Sequence, residues 1–106
     1  MILEDVPDRS RYELRDGDRL LAWVDYRPAG GSVILAHTEV PEDAAGQGHG
    51  SRIVRAVLED LRARGVTAFP TCPFAAAFIG RHPEYADVVD PSVRGQFVKR
   101  GLTPFT

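Results

Sequence analysis

The stretch that most narrows the fold is residues 44–64, and within it Gly46-Gln47-Gly48-His49-Gly50-Ser51. Three glycines alternate, and a helical pattern begins at once. Ile53, Val54, Val57, Leu58 and Leu61 recur at the spacing of one helix face. Arg52, Arg55, Glu59, Asp60, Arg62 and Arg64 take the other face, and Gly65 follows as a C-terminal stop. A loop nearly bare of side chains therefore runs straight into a helix N-terminus. The first amides of a helix lack intrahelical partners, and the macrodipole makes that end positive. Residues without side chains let a phosphate come close to those amides. Two readings fit: a cradle for a phosphate-bearing ligand, or a glycine-rich turn that only starts a helix.

Spacing narrows the ligand. A Walker loop requires a Lys after its glycines, and none follows. The dinucleotide fingerprint requires G-x-G-x-x-G, and here the third glycine comes one place early. The remaining pattern, G-x-G-x-G, is the one used for the pyrophosphate of coenzyme A.

The rest of the chain limits what such a loop can serve. Its 106 residues suit a single domain, and 43% hydrophobic residues suffice for one core. A net charge of −2 argues against a broad nucleic-acid surface. No apolar run approaches the roughly 20 residues of a membrane span. No basic segment followed by an apolar one opens the chain, so export is not expected. One Cys excludes an intrachain disulfide and fits a reducing cytoplasm. The three His, the Cys and the scattered carboxylates have no metal-ligand spacing. A cytoplasmic monomer or weak dimer without metal, membrane or nucleic-acid partner is the expectation.

In chain order, residues 1–6 read as a frayed or edge segment. Residues 10–15 alternate weakly and read as a strand, and Asp16-Gly17-Asp18 is a hairpin signal. Residues 20–27 form a second strand, with Leu21, Trp23 and Asp25 on one side and Leu20, Ala22, Val24 and Tyr26 on the other. Pro28-Ala29-Gly30-Gly31 turns the chain into a third strand, residues 32–40. Its run Val33-Ile34-Leu35-Ala36 looks buried on both faces. Val40-Pro41 ends that strand, because proline donates nothing to a ladder. After the glycine loop and long helix, residues 66–69 form a short strand parallel to the third. Pro73 suits the first position of a second helix, with Phe74, Ala77 and Phe78 on its apolar face and His82-Pro83 at its end. Residues 90–106 read as a loosely structured tail, with a short apolar contact from Phe97 and Val98.

This order of parts resembles a known family. An antiparallel meander is followed by H-T-x-V-P (His37 to Pro41), then G-Q-G-x-G-S, a helix, a short strand, C-P-F (Cys72 to Phe74) and F-I-x-R-H-P-E-Y (Phe78 to Tyr85). Residues 10–89 resemble the small GNAT-like N-acetyltransferases of the YjdJ type. The resemblance implies an α+β fold: meander, helix, parallel strand and second helix, with two parallel strands splayed at the cofactor site. It implies acetyl-CoA as co-substrate and an amine, small or on a protein, as acceptor. Val40 would bond the pantetheine arm, while Gly46, Gln47, Gly48, His49, Gly50 and Ser51 would cradle the pyrophosphate, with Cys72 and Phe78 lining the coenzyme. The family carries Arg or Gln three places before the first glycine of its G-x-G pair, and this chain has Ala45 before Gly48. The chain is also short of the elements that shape the acceptor pocket in larger members.

Acetyl transfer needs a neutral amine, a stabilised thioester oxygen and a proton for the departing thiolate. Cys72, at the start of the second helix, is one candidate, as transient acetyl carrier or acid–base group. Its other reading is a small buried hydrophobe. Glu39 could take the acceptor's proton, or be a solvated strand residue; His37 shares its face. Tyr85 is a candidate acid at the coenzyme sulfur, or a packed aromatic at the edge of the core. Three functions compete: an acetyl-CoA-dependent N-acetyltransferase, a non-catalytic CoA-binding module, and a Cys72 thiol sensor of oxidants.

Overall fold

The computed structural model describes residues 1–97. Five strands form one sheet in chain order: β1 (Ile2–Val6), β2 (Arg11–Asp16), β3 (Arg19–Ala29), β4 (Ser32–Glu39) and β5 (Thr67–Pro70). The first four are antiparallel neighbours, and β5 pairs parallel to β4. The parallel pair is joined through α1 (His49–Arg64), and α2 (Pro73–Arg81) follows β5. Residues 1–6 are thus an edge strand, and the expected α+β order of parts is the observed one.

The long helix forms where its pattern requires. Ile53, Val54, Val57, Leu58 and Leu61 are all buried against the sheet, and Gly65 closes the helix in the left-handed region. Asp60 and Arg64 on its polar side hold Tyr12 of β2, whose hydroxyl donates to Asp60 at 2.7 Å and accepts from Arg64. Both helices lie on one face of the sheet. Phe74 of α2 touches Gly50 of α1, and the Arg55 guanidinium of α1 lies 5.3 Å over the Phe78 ring of α2.

That one-sided cover corrects three sequence expectations. β4 is not buried on both faces: Ser32 and Leu35 are buried, while Val33, Ile34 and Ala36 remain half-exposed. The side assignment of the second strand changes at Leu21. It is an extra residue between the pairs Leu14↔Ala22 and Arg15↔Leu20, so Leu21, Ala22 and Val24 are all buried and Trp23 is not. In α2 the inward residues are Ala75, Phe78 and Ile79, not Phe74 and Ala77. Both sets have helical spacing, and an almost wholly apolar helix offers periodicity nothing to choose between them.

The tail is more tightly held than expected. The Asp90 N–H donates to the Ala68 carbonyl at 2.8 Å, and its carboxylate accepts from Ser32 Oγ at 2.6 Å and Ser92 Oγ at 2.7 Å. Arg94 donates to the Val89 carbonyl, and Arg94–Phe97 forms one 3-10 turn. Val93 and Phe97 pack on the core beside β5, leaving a cavity of about 170 Å³ against Phe69 and Thr71. Val98 and the remaining tail lie outside the described residues.

Candidate active site

Two features meet at the end of β4. Its parallel pairing with β5 runs from Ser32↔Thr67 to Leu35↔Pro70 and stops. There the Cys72 N–H donates to the Leu35 carbonyl at 2.9 Å, and Thr71 Oγ1 donates to the same oxygen at 3.2 Å, so the chain turns off into α2. On its other side β4 carries a bulge. Asp25 pairs with His37 and Tyr26 with Leu35, which leaves Ala36 as the extra residue. A bulge bends and over-twists its strand. β4 is therefore redirected at the level where β5 ends, and it runs on to Glu39 without β5 paired beside it.

Thr38 and Cys72 meet at that level, with Thr38 Oγ1 3.4 Å from Cys72 Sγ. Cys72 is the N-cap residue of α2 and is 3% exposed. Such burial disfavours an oxidant-sensing role, since reactive thiols are normally accessible. On the opposite face, His37 Nε2 and Glu39 Oε1 are 2.7 Å apart and exposed to solvent. Glu39 lies opposite Trp23 in the register. Val40 follows as the first residue beyond β4 and is half-buried.

The glycine loop stands at the head of α1. Gly46 and Gly48 both have φ of +80°, where a side chain is strained, and nothing beyond their chain neighbours lies within 4 Å of where their Cβ would be. The space over the loop is open, and the first turn of α1 holds no acidic residue to repel an anion. These features fit a diphosphate. Gly50 is different: a Cβ there would stand 2.9 Å from Phe74 Cζ. His49 is not a free contact residue. It is buried, its Nδ1 accepts from the Arg52 guanidinium at 2.8 Å, and its Nε2 then donates to Gln47 Oε1 at 3.2 Å. Arg52 also donates to the Gln47 carbonyl at 3.2 Å, so one cation braces the loop.

Two expected site residues are turned elsewhere. Phe78 is 1% exposed, stacked against His82 and Tyr85 inside the core, and has no surface to offer a coenzyme. The Tyr85 hydroxyl donates to Glu59 Oε2 at 2.6 Å and accepts from Arg55 at 3.1 Å, which ties it to the side of α1. Burial, and then the bond to Glu59, push its phenol above the ordinary value, against the opposing pull of Arg55. The phenol is buried, and both hydrogen bonds of its hydroxyl go to side chains of α1. Arg52, Thr38 and the exposed Phe74 were not singled out from the sequence. For Thr38 the signal was present: it alternates with His37 and Glu39 and so faces the helices.

Among the described residues no three His, Cys, Asp or Glu side chains are grouped to hold a metal ion, and no helix is long and apolar enough to cross a membrane. The sequence matches the family model described as GCN5-related N-acetyl-transferase over residues 11–88. The fold is similar to the NMR solution structure of a GCN5-like protein from Staphylococcus aureus, with a TM-score of 0.63 at 24% identity, covering 84% of this chain and 87% of that one. No curated protein matches the chain.

Proposed function

The chain belongs to the GCN5-related N-acetyltransferases, and on that footing we propose that it transfers an acetyl group from acetyl-CoA to an amine. One arrangement carries the reading: the open glycine loop at the head of α1 stands in the same molecule as the place where β4 leaves β5, which we read as the gap for the pantetheine arm, with Cys72 at that place. The amides from Gly46 to Ser51 bind the diphosphate, with Arg52 bracing their loop. The backbone of Val40 bonds the pantetheine arm along the edge that β5 has vacated. Glu39, supported by His37, takes the proton of the attacking amine from the open face. The Cys72 thiol lies beside the sulfur and returns a proton to it as it departs. The finer parts of the reading go with these: the YjdJ type, a cytoplasmic location, and a monomer or weak dimer.

Isothermal calorimetry and melting curves with CoA and acetyl-CoA test the binding half. Saturation at about 100 times Kd should stabilise the fold by about 2.7 kcal/mol. No heat and no protection would overturn the reading. A panel of small amines and lysine peptides, with release of CoA thiol as readout, tests transfer. Binding without transfer to any of them would leave a coenzyme-binding module instead. Trapping an acetyl group on Cys72 would replace direct transfer by a two-step route through that sulfur.

A further inference from the structure

Three large hydrophobic side chains are exposed among the described residues: Met1, Ile2 and Phe74. Met1 and Ile2 belong to the chain start and edge strand. Phe74 sits in the first turn of α2, two residues after Cys72, and is 38% exposed. Its ring edge rests on the backbone of Gly50, in the first turn of α1, closely enough that a Cβ there would meet Cζ at 2.9 Å and Cε2 at 3.1 Å. The ring thus links the two ends of the site: one neighbour leads to the thiol at the gap, the other to the glycine loop. Burying an exposed aromatic under an apolar ligand segment is favourable, and an aromatic ring gives a large surface at little cost in side-chain entropy.

We propose that Phe74 is the specificity wall for the pantetheine arm, and that Gly50 is glycine to seat that ring and not to admit a phosphate. This rests on the coenzyme reading above and adds to it a division of the glycines by task. Gly46 and Gly48 stand in open space with positive φ and shape the cradle. Gly50 has no positive φ and is buried beneath the ring, so its missing side chain serves the neighbouring helix. The apolar, dimethyl-bearing part of the arm lies on the exposed side of Phe74, between the diphosphate and the thioester.

A double-mutant cycle tests this, with calorimetric Kd for two probes: CoA, and adenosine 3′,5′-bisphosphate, which lacks the arm. Phe74→Ala should weaken CoA about tenfold and leave the bisphosphate unchanged. Gly50→Ala displaces the ring and should weaken CoA similarly in the natural background, but cost nothing further in the Phe74→Ala background. Phe74→Leu should recover part of the loss. Equal CoA binding by wild type and Phe74→Ala would overturn the proposal, and so would an undiminished cost of Gly50→Ala on both probes in the double variant. Should Gly50→Ala fail to fold, the two-probe comparison on the exposed Phe74 decides alone. Failure of the wild type to bind CoA at all would instead strike the coenzyme reading on which the inference stands.

Discussion

Glu13 is a carboxylate with 2% exposure on the sheet face that neither helix covers. Arg15 and Arg11, two residues away on either side, donate to it at 2.7 and 2.8 Å. Burial alone would raise its carboxyl; the two guanidinium bonds outweigh burial and hold it below the ordinary 4.5. Glu13→Gln keeps the shape and removes the charge, and should cost about 2 kcal/mol in urea unfolding at pH 7. Because the folded value is the lower one, that contribution is full above the unfolded value and is lost as pH falls through the folded one. The gap between variant and wild type should therefore close in acid; an undiminished gap at low pH would assign the residue to packing. Glu39, the proposed base, offers the catalytic counterpart. Glu39→Gln should lower kcat by about 10²-fold or more, with the Kd for CoA unchanged, in steady-state kinetics and calorimetry. A fall in CoA affinity of the same size would place Glu39 in binding instead.

The elements divide between local signals and contacts. α1 was legible throughout, since its apolar stripe, glycine start and glycine stop are all local. The inward face of α2 was not, because nearly every position is apolar and only packing against the sheet, α1 and the segment after α2 selects Ala75, Phe78 and Ile79. The bulge at Ala36 also escaped the sequence: nothing in Ile34-Leu35-Ala36-His37 marks which residue is left unpaired, and the partner strand decides it. Deleting Ala36 tests the element. It restores even pairing while keeping Leu35 towards the helices and His37 on the open face. The variant should fold, as circular dichroism will report, yet bind CoA more than tenfold more weakly because the gap is lost. Wild-type affinity would show that the bulge does not open the site.

At the scale of the molecule, stability should depend on pH from both sides. Asp87 is held low by the Arg62 bond first, and Asp90 by Ser32 and Ser92, so with Glu13 three carboxylates gain on folding while ionised. Three phenols are pushed up, by burial first and then by bonds to carboxylates: Tyr12 through Asp60, Tyr26, to about 12, through Asp5, and Tyr85 through Glu59. A raised value means stability that is full below the unfolded value of 10.0 and is lost as pH climbs through the folded one. Melting curves should form a plateau from about pH 5 to 9, with decline on both flanks. Steep loss between pH 7 and 9 would contradict these assignments. Sequence alone determined the order of strands and helices, the bare loop at a helix head and the buried stripe behind it, because turn chemistry and periodicity act over a few neighbouring residues. Tertiary structure decided which residues face the site. A sheet covered on one side, two bulged strands and a second helix laid against Gly50 turn Phe78 and Tyr85 inward and bring out Phe74, Thr38 and Arg52, through contacts between segments distant in the chain.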